Sequence, residues 1–256
     1  MTYFKKEVLN KYYSDPDKYK VTDFNIQCSF FSLKIDNNIQ DYIPVFLPEL
    51  GMLPHKEQLH WKHYNIPPKD GISKTYYRTM IEGNWSEHPE TPDSYFKYKY
   101  KQFNNNWKKK FGWDFYKPLA KESEHYLDSL HTPTTNSIKS FCEQVLAVVI
   151  LTVDSINESR IGERLTLEPN IKGISKLDLF LKSKDAEMPD MIEFLRHLQN
   201  LRSGLIAHRF STSNKSVRKS IEYFGLTEEN RAEVANDIFI KSVFTLNSLE
   251  KHFLLT

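Results

Sequence analysis

The sequence has only two cysteines, Cys28 and Cys142, far apart and in apolar contexts. That favours free buried thiols in a reducing compartment over a disulfide scaffold. Charge of one sign is scarce as well. The 35 Lys and Arg against 33 Asp and Glu leave a net +2, so any basic surface has to come from local clustering. The longest apolar run, Val145–Val153, is far short of the roughly 20 residues that a membrane-spanning helix requires. The opening Met1-Thr2-Tyr3-Phe4-Lys5-Lys6-Glu7 has no apolar core of a secretory signal. A soluble, cytoplasmic protein with no membrane partner is the expectation. There is no Gly-rich phosphate loop, no Gly-x-Ser-x-Gly and no Cys–His nucleophile signature, so kinase, P-loop, Rossmann and hydrolase chemistries have no residues to rest on. Internal repeats and low-complexity tracts are absent too.

What the chain does have is length for a substantial core and an unusual supply of rings. Its 256 residues suffice for one large domain or two small ones, and an aromatic share of 14% makes rings a large part of the burial. Most of the aromatic residues and most of the 12 prolines precede residue 118, and aliphatic helical patterns follow it. The composition therefore suggests an aromatic-rich α+β region over 1–117 and a helical region over 118–256, in a fold that is mainly α.

In the first region, residues 2–13 read as a short helix and Tyr19–Ile35 as a strand. Asp36-Asn37-Asn38 is a turn signal before a second strand over Tyr42–Leu47, where Pro44 and Pro48 indicate a sheet edge. Residues 51–71 read as irregular. Over 93–110 both periods occur, but Phe96, Tyr100, Phe103, Trp107 and Phe111 recur at helical spacing between Pro92-Asp93 and Gly112, so a basic amphipathic helix is predicted. Beyond Pro118, helices are predicted over Leu119–Leu130, Thr135–Asn157, around Leu177–Leu181, from Pro189 through Arg202 to His208, and after Thr227-Glu228-Glu229. Residues 211–220 read as a Ser/Lys/Arg loop. Thr135–Asn157 is apolar on nearly every side, which fits a position at the centre of a bundle or at a dimer seam. Four to five helices make the second region a bundle.

One stretch has polar residues placed for chemistry. Phe194, Leu198, Leu201 and Leu205 share one helix face, and Arg202, Ser203, His208 and Arg209 gather at the helix end. The pattern Arg202-Ser203-x4-His208, within Asn200-Leu201-Arg202-Ser203-Gly204-Leu205-Ile206-Ala207-His208-Arg209, resembles the Arg-polar-x(3–5)-His signature of HEPN domains (higher eukaryotes and prokaryotes nucleotide-binding). That family commonly carries Asn where this chain has Ser203. The resemblance covers roughly 118–256 and implies a helical bundle that cleaves RNA without a metal or cofactor. His208 would act as general acid or base, suited by an ordinary pKa near 6.5, and Arg202 would hold the phosphate as its charge grows. Ser203 and Arg209 would assist, with Lys215 and Arg218 contacting the substrate. Residues six apart on a helix are about 120° apart, so a single copy carries half a site. The resemblance implies a homodimer that completes it, with RNA as the partner, a toxin or anti-phage setting, and an antitoxin or other protein partner. The other reading is a catalytically inactive helical module that binds RNA, a nucleotide or a protein. The plainer account of the motif is a C-terminal His favoured by the helix dipole and a solvated Arg face.

Three further groups carry weaker signals. Tyr95–Lys101 and Trp107–Phe111 interleave rings with lysines, as a surface that stacks bases and neutralises phosphates would; an ordinary amphipathic helix, with rings in the core and lysines in water, is the favoured account. His55, His60 and His63 have a loosely metal-like spacing, without the Cys partners or His-Glu-x-x-His helix of a zinc site. Asp154, Glu158, Arg160, Glu163 and Arg164 gather around the end of the central helix, where carboxylates could assist a site, although a surface ion-pair network is the favoured account.

Overall fold

In a computed structural model the chain is mainly helical, with two small antiparallel sheets. The structure describes residues 1–85, 87–163, 165, 171–207 and 214–255, with the backbone alone at 122 and 205–207. Among the described residues no helix is long and apolar enough to cross a membrane. The chain divides into two compact units, Met1–Tyr95 and Phe96–Thr256.

In the first unit, β1 (Thr2–Lys5) lies between β5 (Tyr42–Val45) and β6 (Asn65–Ile66), and β2 (Lys20–Val21), β3 (Asn25–Gln27) and β4 (Ser32–Lys34) form a meander. The predicted helix over 2–13 is therefore a strand first. Thr2-Tyr3-Phe4 is a β-favouring run, and only then come a 3-10 turn and α1 (Asn10–Tyr13). The single strand expected over 19–35 is cut into three. Thr22 Oγ1 accepts from the backbone N–H groups of Phe24 and Asn25, and Cys28 N–H closes a turn on Phe31 O at 3.0 Å. Pro44 does sit in an edge strand, but β5 pairs with β1 and not with its predecessor in sequence. α2 (Leu47–Gly51) follows β5, the stretch read as irregular contains α3 (His55–His63), and α4 (Lys74–Tyr76) follows β6. Trp61, Tyr12, Phe4 and Ile26 centre the core, and Trp61 Nε1 donates to Tyr12 OH at 2.8 Å.

The basic amphipathic helix predicted over 93–110 is present as α5 (Pro92–Phe111), closed by Gly112 at φ 75. Its rings Phe96, Tyr100, Phe103 and Trp107 are buried. Residues 119–130 hold only a 3-10 turn and α6 (His125–Asp128); their few apolar side chains do not sustain a longer amphipathic face. The central helix is α7 (Ile138–Val149), continued by one π-helical turn over Ile150–Asp154. Thr152 and Ser155 hydroxyls donate back to the carbonyls of Val148 and Ile150, side-chain bonds of the kind that loosen an α-helical ladder. Asn157 then caps α8 (Glu158–Gly162). α9 (Gly173–Lys182), α10 (Pro189–Ala207), α11 (Lys215–Phe224) and α12 (Arg231–Phe253) complete the unit. α7 packs against α10 and α12, which accounts for burial on several of its sides.

Candidate functional site

Proline at the start of α10 costs no intrahelical hydrogen bond, and Phe194, Leu198 and Leu201 bury the face expected of them. Arg202 follows at the edge of that face. Its side chain is 28% exposed, and Nη2 donates to Asp154 Oδ1 at 3.3 Å. Arg202 Nε is buried with no acceptor among the described residues. His208 and Arg209 lie outside the described residues, as does the side chain of Leu205.

Asp154 is brought to Arg202 by the π turn. A turn closed by i→i+5 bonds inserts an extra residue and changes which side a following residue faces; such turns recur at functional sites. The end of that turn is tied down from the far side of the unit. Lys117 N–H donates to Ser155 O, Asn157 N–H donates to Phe115 O, and Asn157 Nδ2 donates to Asp114 O. Asp154 is thus held by backbone, and Arg202 reaches it from a long helix. The Asp154 carboxylate is 38% exposed. An ion pair this open to water contributes about 0–1 kcal/mol, so it orients the guanidinium without locking it.

Ser203 does not present its hydroxyl to a neighbour; it donates to Gln199 O at 3.0 Å in its own helix. Gly204, next in line, is buried against α11. A Cβ there would stand 2.4 Å from Val217 Cγ1, so only glycine admits this approach. α11 occupies much of the stretch predicted as a loop. Asn214 caps it by accepting from Ser216 N–H at 2.9 Å, Val217 and Ser220 face inward, and Gly225 at φ 58 ends it. The abundance of Ser, Lys and Arg concealed this amphipathic period. Lys215 and Arg218, together with Lys219, lie on the exposed side of α11, the helix that Gly204 seats against the motif helix.

A second polar arrangement was not foreseen. His197 Nδ1 lies 3.0 Å from Ser220 Oγ, and Glu193 Oε1 lies 3.9 Å from His197 Nε2. The order resembles a hydrolytic triad, but Ser220 is fully buried and its hydroxyl donates to Ser216 O. His197 also stacks on Tyr223 at 4.2 Å. These groups fasten α11 to α10; no nucleophile faces solvent.

The remaining sequence signals resolve as packing. In α5 Phe96, Tyr100, Phe103 and Trp107 are core, and Lys97 donates to Leu130 O while Lys99, Lys101 and Lys108 pair with Glu250, Asp128 and Asp114. His60 lies 2.9 Å from Val8 O and packs edge-on to Tyr12 and Tyr64. Among the described residues no three His, Cys, Asp or Glu side chains come together as a metal site, so His55, His60 and His63 do not form one. Glu158 pairs with Lys176 and Arg160 with Glu163; Arg164 lies outside the described residues. Cys28 and Cys142 are free thiols, half-buried, and burial pushes the Cys142 thiol up.

Comparison with protein-family models, with curated proteins and with solved structures finds no match to this chain. Its site is therefore read from its own geometry. A part-exposed arginine braced by a backbone-held carboxylate, with a cationic helix seated alongside, is suited to hold a phosphate diester.

Proposed function

We propose that the chain is a metal-independent endoribonuclease of HEPN type, acting in a bacterial toxin or anti-phage setting. The observation that carries the reading is the placement of Arg202: part-exposed and oriented by Asp154 through Nη2. In this reading Arg202 takes the scissile phosphate, and His208 shuttles the proton between the ribose 2′-OH and the leaving 5′-oxygen. Lys215, Arg218 and Arg209 neutralise the adjoining backbone, and a second copy supplies the other half of the site. The resemblance of Arg202-Ser203-x4-His208 to the family signature supplies the setting and the dimer.

The second reading, an inactive module that binds RNA, a nucleotide or a protein, draws support from one contact. The Ser203 hydroxyl donates to Gln199 O, so its proton is not offered to a substrate. Structured RNA incubated in EDTA with the protein, His208→Ala and Arg202→Ala separates the two. Loss of about 10²–10⁴-fold in cleavage rate in the histidine variant, and of about 10²–10³-fold in the arginine variant, is the expected outcome. Equal cutting by all three, or by none, removes the nuclease reading.

A further inference from the structure

A cavity of about 540 Å³ opens beside the C-terminal end of α5, within the size range of small-molecule sites. Its wall is largely rings: Trp107 and Phe111 of α5, Trp113 just beyond, Phe180 of α9 and Phe253 of α12. Trp107 is the hub, with the ring centroids of Phe111, Trp113 and Phe253 at 4.5, 5.3 and 5.3 Å. Arg160 and Lys184 contribute to the rim. The Arg160 guanidinium lies 5.8 Å over the Trp113 ring and pairs with Glu163 at 2.6 Å. Glu163 offsets one of the two cations, so among the described residues the rim keeps a positive charge. Trp107 Nε1 is buried and has no acceptor among the described residues.

Each feature constrains the occupant. Aromatic walls favour a planar π system. A rim with surplus cationic charge favours an anionic group. We infer that this cavity binds a planar aromatic ring bearing an anionic group, with the chemistry of a purine nucleoside monophosphate. The base sits among the rings and the phosphate at Arg160 and Lys184. Arg202 and Ser203 are not among the residues that line this cavity, so it is treated as a separate site from the one proposed to cleave RNA. A free mononucleotide and the terminal nucleotide of an RNA strand offer the same chemistry.

Tryptophan emission reads the site directly, because Trp107 and Trp113 line it. AMP is expected to change the emission saturably, with adenosine binding at least about fivefold more weakly for want of the charged contact. Lys184→Ala, at the exposed rim, is expected to weaken AMP by about the same factor and to leave adenosine unchanged. Trp113→Leu removes most of the signal, and calorimetry on the Lys184 variant keeps the test open if that substitution disturbs the fold. A short oligonucleotide with a 5′-terminal phosphoadenosine distinguishes the sources. Lys184-dependent binding of the oligonucleotide assigns the site to RNA ends, and binding of AMP alone assigns it to free nucleotide. Absence of saturable binding of either at millimolar concentration, or equal binding of AMP and adenosine, overturns the inference.

Discussion

Arg202 is constrained by one neighbour and unsatisfied at another atom. Asp154 accepts from Nη2, but Nε is buried without an acceptor among the described residues, and an unmet buried donor of this kind costs on the order of 1–3 kcal/mol. In the function proposed above, a phosphate oxygen competes with the Asp154 carboxylate for the same guanidinium. Removing the competitor's charge separates orientation from occupancy. For Asp154→Asn the unfolding free energy is expected to move by less than about 1 kcal/mol, because the pair is partly solvated. RNA affinity at low salt is expected to rise severalfold, and the gain to fade as salt screens the phosphate contact. Weaker binding in the variant at low salt would show that Asp154 serves the substrate rather than competing with it.

At the scale of elements, the contact that places the basic helix is a missing methyl group. Gly204 of α10 meets Val217 of α11 so closely that a Cβ would fall 2.4 Å from Val217 Cγ1. Alanine gains about 1 kcal/mol of helix propensity, yet forced overpacking costs about 1–3 kcal/mol, and a clash with a β-branched side chain gives little room to relax. Gly204→Ala is therefore expected to lower stability in urea unfolding, and Val217→Ala in the same chain to recover part of it. A plain stabilisation by Gly204→Ala would mean that α11 is free to move away. The sequence made much of this region legible: the buried face of α10 at Phe194, Leu198 and Leu201, the start at Pro189, and the existence of α5, α9 and α12. It concealed α11, because its two buried positions, Val217 and Ser220, are set among exposed Ser, Lys and Arg. It also concealed the π turn, since Ile150–Asp154 has the same apolar period as the helix before it. The proximity of Arg202 to Asp154, 48 residues apart, depends on that turn; a lone carboxylate after a long apolar run was its only trace.

Across the whole molecule, rings follow burial and not the division of the chain. Composition changes near residue 117, whereas compact packing divides at Tyr95, because the rings of α5 join Phe239 and Phe253 of α12 within the second unit. Ring burial also sets how stability responds to alkali. Tyr12, Tyr13, Tyr76, Tyr100 and Tyr116 all have their phenols pushed up, chiefly by burial. Above about pH 10 the unfolded chain releases protons that these phenols retain in the fold, so stability falls as pH rises. Lys6 acts in the opposite sense. Desolvation lowers its ammonium from 10.5 to about 8, outweighing the carboxylates of Asp93, Asp36, Asp23 and Asp41, while Nζ donates to Asn37 O and Ile39 O. Between about pH 8 and 10.5 the unfolded chain then binds the extra proton, so the Lys6 contribution to stability rises with pH and is complete above the unfolded value. Urea unfolding of the protein and of Lys6→Met across pH 7–11 isolates this term, since both lose stability above pH 10 through the tyrosines. The stability difference, protein minus variant, is expected to grow from pH 8 to 10.5 and then level. A difference that shrinks over that interval would mean that the carboxylates, not desolvation, govern Lys6.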